Sequence, residues 1–191
     1  MVSLIIMASG SSNRMGTNKL LLPYKGKYLI EHLLDCVINC CFKEVILVAK
    51  DSTILNLGHK RNLKVIYNKN AEIGQSETIK LGIINSQDNL GYAFIVGDQP
   101  LINCNMINKL LNIFLENNDS IIVPTYKQKR GTPVIFSNRF QKELLNLQGD
   151  VGGKEVIKNN LRKVKYVEVS SPELLWDIDT IDDYLKLINL N

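Results

Sequence analysis

The 191-residue sequence has no apolar run of the length a membrane span requires, so it predicts no transmembrane helix. It also lacks a basic stretch ahead of its first apolar residues and a cleavage site, and a cytoplasmic protein is expected. The four cysteines, Cys36, Cys40, Cys41 and Cys104, form no CxxC pair, and no neighbouring histidine completes a zinc-ligand pattern. Cys36 and Cys40 stand at helical spacing within an apolar pattern and are expected in the core of a protein from a reducing compartment. His32 and His59, the two histidines, read as packed or solvated helix residues without a role. Lysines and arginines are scattered rather than blocked, and the formal net charge is only +4. That balance gives no reason to expect a nucleic-acid surface and suits a small anionic substrate equally well. Internal repeats, low-complexity tracts and linkers are missing too. A chain of this length with 45% hydrophobic residues is enough for one core and short for two, so a single domain over 1–191 is expected.

What is present is concentrated at the start. Val2, Leu4, Ile5 and Ile6 make a short apolar run suited to a central parallel strand. From Ala8 to Gly16 the residues become small or polar apart from Arg14 and Met15, so backbone N–H groups can approach an anion closely. Arg14 and Lys19 add a forked guanidinium and an ammonium. Neither familiar glycine motif fits. Gly10 and Gly16 enclose five residues where a Walker A loop has four, and position 12, where a dinucleotide fingerprint needs glycine, is Ser. Alone, the segment reads equally as an ordinary strand-to-helix turn.

Further along, strand and helix patterns alternate. Tyr28–Ile38 carries helical periodicity, 43–49 reads as a strand, part of 52–60 as a helix and 63–67 as a strand. Gly74 and Ser76 could cap a helix running to Ile84. The strand 92–97 ends in Asp98-Gln99-Pro100, which sets an acid where open α/β sheets place ligands. A helix over 104–117 and a strand over 120–124 follow, and then a strand over 131–136 reached through a tight turn. A helix near 138–147 precedes the glycine-rich turn Gly149-Asp150-Val151-Gly152-Gly153-Lys154, which opens a helix to about Leu161. After a strand over 164–169, Thr180 caps the last helix, with Asp182 and Asp183 in its first turn. This succession predicts an α/β fold, a three-layer doubly wound and mostly parallel sheet of Rossmann-like type.

Taken together, the opening loop, Gly97-Asp98-Gln99-Pro100, Gly149–Lys154 and Asp177-Ile178-Asp179-Thr180 resemble the MobA-like nucleotidyltransferases, and within them the molybdenum cofactor cytidylyltransferases. Their opening pattern, Ala-x-Gly-x-Ser-x-Arg-Met-Gly-x-x-Lys before a Leu-Leu-Pro run, is met by Ala8, Gly10, Ser12, Arg14, Met15, Gly16, Lys19, Leu21, Leu22 and Pro23. The resemblance spans nearly the whole chain.

It implies transfer of CMP from CTP to the terminal phosphate of molybdopterin, with loss of pyrophosphate and with Mg²⁺ as cofactor. It implies a nucleotide half of about 1–103 and an acceptor half of about 104–191. Ala8, Ser9, Gly10, Ser11, Ser12, Arg14, Lys19, Gly74 and Ser76 would bind the nucleotide, with Arg14, Lys19 and Asp98 catalytic and Asp98 and Asp179 on the metal. Gly131, Thr132, Pro133, Asp150, Gly152, Gly153 and Lys154 would face the acceptor, and a molybdenum hydroxylase apoenzyme would be a transient partner. Positioning and cations suffice for such chemistry, so no Ser-His-Asp or Cys-His arrangement is needed.

Three departures stand out: Ser9 where Ala or Gly is usual, Thr132 where these cytidylyltransferases usually carry His, and Lys154 where Arg is frequent. Asp177 and Asp179 also read as helix-capping acids, and Gly149–Lys154 as a plain turn. A GTP-dependent enzyme, a nucleotidyltransferase for another phosphorylated acceptor and a non-catalytic cofactor-binding accessory remain alternatives.

Overall fold

The computed structural model describes residues 1–10 and 18–190. In chain order the elements begin β1 (Val2–Ala8), the small hairpin β2 (Pro23–Tyr24) and β3 (Lys27–Tyr28), α1 (Leu29–Val37), β4 (Glu44–Ala49), α2 (Ser52–His59) and β5 (Lys64–Tyr67). They continue α3 (Gln75–Ile84), β6 (Gly91–Val96), α4 (Cys104–Glu116), β7 (Ile121–Tyr126), β8 (Lys129–Arg130) and β9 (Val134–Ser137). The chain closes with α5 (Gln141–Leu145), α6 (Lys154–Asn159), β10 (Val164–Glu168) and α7 (Ile181–Ile188).

The strands form one sheet in the order β10-β7-β9-β6-β1-β4-β5, with β8 paired on β7. β1 lies inside it, parallel to β4 on one side and to β6 on the other, which explains why its residues are apolar with little alternation. Successive side chains point to opposite faces, so Leu4 and Ile6 enter one core while Ile5 enters the other. The first core is closed by the apolar faces of α1, α2 and α4, through residues such as Leu33, Ile54 and Phe114. The second is closed by α3, α5 and α6, through Ile79, Leu144 and Val156. These are the three layers that the strand and helix alternation predicts.

The sheet is mixed rather than wholly parallel. β9 runs antiparallel to both β6 and β7. Only residues 127–133 separate it from β7, too few for the crossover that a parallel neighbour demands. Part of that connection is the β7–β8 hairpin, whose two loop residues, Lys127 and Gln128, both have positive φ, as a type I′ turn requires. The peptide bond from Thr132 to Pro133 is cis.

Other sequence expectations shift in detail. The helix near 138–147 is a short 3-10 turn, Asn138–Phe140, followed by α5. The turn at Gly149 opens no helix until Lys154. Cys36 and Cys40 are half-buried against the first core rather than inside it, and Cys40 Sγ lies 3.1 Å from Cys104 Sγ. Among the described residues no helix is long and apolar enough to cross a membrane.

Candidate active site

A cavity of about 440 Å³ opens at the carboxyl ends of β1 and β6, where open α/β sheets bind ligands. Its walls come from Met7–Gly10 at the end of β1, Lys19 and Leu20, Ala71–Glu72, Gly74–Gln75 and Thr78 at the start of α3, Val96–Asp98 after β6, and Asp150 and Asp179. Eight of the residues singled out in the sequence therefore meet here: Ala8, Ser9, Gly10, Lys19, Gly74, Asp98, Asp150 and Asp179.

Each is set by its surroundings. Ser9 turns its hydroxyl away, donating to the Val48 carbonyl at 3.2 Å, and so leaves backbone on the cavity side. A Cβ on Gly10 would meet no atom of the other described residues within 4 Å. Lys19 starts a 3-10 turn capped by Asn18, whose side chain accepts from the Leu20 N–H at 3.2 Å and donates to Asp51 Oδ2 at 3.2 Å. From that turn Lys19 Nζ reaches Asp98 Oδ2 at 2.5 Å and Asp179 Oδ1 at 2.7 Å.

The charges are strongly perturbed. Burial pushes the Asp98 carboxyl up, against the pull of Lys19. Burial alone would lower Lys19, but Asp98 and Asp179 outweigh it and hold the ammonium above the ordinary amine range. Asp177 remains partly solvent-exposed, yet protein around its carboxyl and the nearby charge of Asp98 push it up to about 6. Asp98 Oδ1 is buried and has no hydrogen-bond partner among the described residues. An oxygen in that condition suits a hard cation, which accepts carboxylate lone pairs that no N–H satisfies. Among the described residues, however, no three His, Cys, Asp or Glu side chains stand together as a complete metal cage. Such a site fits Mg²⁺, which takes few protein ligands and fills its remaining positions with phosphate and water.

The start of α3 is built from two distant segments. Gly74 has φ +118°, and a Cβ there would sit 2.5 Å from Asp150 Cα, so glycine is required by a close backbone approach. Across that contact Gln75 N–H donates to Asp150 Oδ1 at 3.2 Å and Ser76 N–H to the Gly149 carbonyl at 3.3 Å. Gly74 is the N-cap, one of the two residues that the sequence suggests, and the side-chain cap comes from Asp150 rather than Ser76.

The sequence from 4 to 165 matches the MobA-like NTP transferase domain family. The chain belongs to that family. It is a nucleotidyltransferase on a Rossmann-like α/β fold, with relatives of both base specificities. It is 22% identical over 188 residues to the molybdenum cofactor cytidylyltransferase of Escherichia coli, covering 96% of this chain and 94% of that one. It is 28% identical over 192 residues to a probable molybdenum cofactor guanylyltransferase of Thermococcus sibiricus, covering 96% and 95%. Among solved structures, the manganese complex of Rv0371c from Mycobacterium tuberculosis superposes with a TM-score of 0.83 at 22% identity, over 98% of this chain and 97% of that one.

Other expected site residues of this MobA-like chain lie elsewhere. Ser11, Ser12 and Arg14 fall outside the described residues. Ser76 is fully buried, its Oγ has no partner among the described residues, and it does not reach the cavity wall; Gln75 and Thr78, three residues apart on one helix face, do. Their spacing is the signal that could have found them.

In the acceptor set only Asp150 lines the cavity. Gly131 packs against Leu175, where a Cβ would come within 2.8 Å, and Gly153 against the Phe136 ring, also at 2.8 Å. Gly152 faces the Gln75 side chain, and Lys154 is exposed at the start of α6. Thr132, beside Pro133, donates its hydroxyl to Gln99 Oε1 at 2.7 Å. Gln99 and Asp177 are the polar neighbours that the sequence reading passed over or ranked second.

Proposed function

We propose that this nucleotidyltransferase moves CMP from CTP to the terminal phosphate of a molybdopterin-type acceptor, releases pyrophosphate and depends on Mg²⁺. The observation that carries the reading is Lys19 held between Asp98 and Asp179 at the mouth of β1 and β6, beside a buried Asp98 oxygen that no other described residue partners. A triphosphate in this cavity meets the ammonium of Lys19 and the backbone at Ala8–Gly10. It competes for Lys19 with the two carboxylates. Asp98 and Asp179 would hold Mg²⁺, which would supply positive charge to neutralise the phosphates. An acceptor phosphate oxygen then forms the new bond to the α-phosphorus. The bond from that phosphorus to the oxygen bridging to the β-phosphate breaks, and the electron pair leaves with pyrophosphate. Lys19 remains to offset charge on the departing group.

The nucleotide side draws chiefly on 1–103 and the acceptor side on 104–191, with Asp150 and Asp179 crossing over. The manganese complex of the structural neighbour supports a divalent ion. The choice of CTP is supported by the cytidylyltransferase relative and by Gly74-Gln75-Ser76-Glu77, where guanylyltransferases usually carry a Gly-Pro-Leu loop. The guanylyltransferase relative favours GTP. Turnover of all four nucleoside triphosphates with Mg²⁺ and molybdopterin, scored by pyrophosphate release, separates these readings. Release with CTP alone is expected. Preference for GTP overturns the cytidylyl assignment, and pterin binding without release overturns catalysis.

A further inference from the structure

Gln99 directly follows the central carboxylate and is only 1% exposed, yet both ends of its amide are engaged. Its Oε1 accepts from Thr132 Oγ1 at 2.7 Å, and its Nε2 donates to Asp177 Oδ1 at 2.8 Å. The orientation is dictated by chemistry: an ionised carboxylate can only accept, so the NH₂ must face Asp177 and the carbonyl is left for the threonine proton.

The segment that Gln99 grips is the one carrying Asp179. Ile178 N–H donates to the Asp98 carbonyl at 3.0 Å, and the Ile178 side chain is fully buried with Tyr24, Leu29 and Leu187. Asp177 and Asp179, on either side, reach Gln99 and Lys19. Asp98, Asp177 and Asp179 are close enough to repel one another, and Asp177 is on an exposed residue that could swing outward. The hydrogen bond from Gln99 opposes that movement.

We propose that Gln99 is a positioning residue: steadied by Thr132, it holds Asp177 inward and so sets the 177–179 segment against Asp98, where the divalent ion and triphosphate are bound. The inference rests on the metal-dependent reading above. It gives Thr132 a task on the metal side of the site, reached through Gln99.

Trp176, the only tryptophan of the chain, adjoins Asp177 and reports on this segment. Paramagnetic quenching of its fluorescence by Mn²⁺, in the presence of α,β-methylene-CTP, measures metal at the site without turnover. Gln99→Leu and Thr132→Val should each raise the Mn²⁺ midpoint about tenfold, as loss of a residue orienting a metal ligand does. The double variant should be no worse than Gln99→Leu, since both act through one chain of contacts, and Thr132→Ser should restore the wild-type midpoint. An unchanged midpoint in folded Gln99→Leu, or additive losses in the double variant, overturns the inference. If Gln99→Leu does not fold, as judged by circular dichroism, Thr132→Val decides alone, and an unchanged midpoint there overturns it equally. Wild-type protein that shows no quenching at any Mn²⁺ concentration removes the metal-dependent reading and this inference with it.

Discussion

Lys19 Nζ and Asp98 Oδ2 lie 2.5 Å apart, which joins the turn after β1 to the end of β6 in one ion pair. The two sides of the pair have different alternatives. Lys19 also holds Asp179, whereas the other oxygen of Asp98 has no partner among the described residues. Removing one partner is therefore not equivalent to removing the other.

Asp98→Asn should lower kcat by about 10²–10³, the range seen when one preorganised electrostatic group is lost. Stability should hardly change, because burial already disfavours the Asp98 charge and Lys19 keeps Asp179. Pyrophosphate release and thermal melting on the same preparation test both halves. Normal turnover removes Asp98 from the mechanism.

Lys19→Met should cost comparable activity and also destabilise the protein, by about 1–3 kcal/mol, since it leaves the buried Asp98 without its compensating charge. Urea denaturation at neutral pH gives the difference. A variant as stable as wild type shows that the pair contributes nothing to the fold.

Gly74→Ala should displace the 149–150 turn from the start of α3, because its Cβ would lie 2.5 Å from Asp150 Cα at a φ of +118°. The strain is worth about 1–3 kcal/mol. A lower melting temperature and a raised KM for the nucleoside triphosphate are expected, with steady-state kinetics as the check. Unchanged values would mean that the backbone relaxes freely.

The Arg61 cluster supplies a pH test away from the cavity. Arg61 pairs with Glu31 at 2.9 Å and with Asp35 at 2.6 Å, and Lys27 also reaches Asp35. Loss of solvent works to raise both carboxyls, but the Tyr28 N–H on Glu31 and the cations outweigh it and hold both below the ordinary carboxylate range. Because their folded values are lowered, the stabilisation is present above the unfolded carboxylate range and is lost as pH falls through the folded values. Arg61→Gln should thus cost about 1 kcal/mol at pH 7, discounted for solvent screening, and progressively less in acid. Denaturation curves at neutral and acid pH measure it; a loss independent of pH would assign the effect to packing.

Much of this architecture was legible because it depends on neighbouring residues. The apolar run of β1 needs only local pattern to announce a buried strand. The capping of α7 by Thr180 is a three-residue relationship, with Asp183 N–H donating to the Thr180 hydroxyl at 3.1 Å. The cap of α3 is of another kind. Asp150, 75 positions away, accepts the Gln75 N–H at a helix start where the sequence offers only Gly74 and Ser76 as caps. β9 also escaped the alternation rule, since strand patterns carry no sign of direction and only the short connection forces it to run back.

By itself, the sequence determined the layered α/β class, and it singled out the end of β1 as a candidate ligand loop and Arg14, Lys19 and the strand-end Asp98 as candidate charged residues. Those properties follow from periodicity and residue chemistry, which act over a few positions. Only the tertiary structure decided that Asp179 closes on Lys19, that Asp150 holds the start of α3, and that Gln99 spans Thr132 and Asp177. The reason is physical: a buried polar group takes whatever partner the packed fold brings within about 3 Å, and that partner need not be near in the chain.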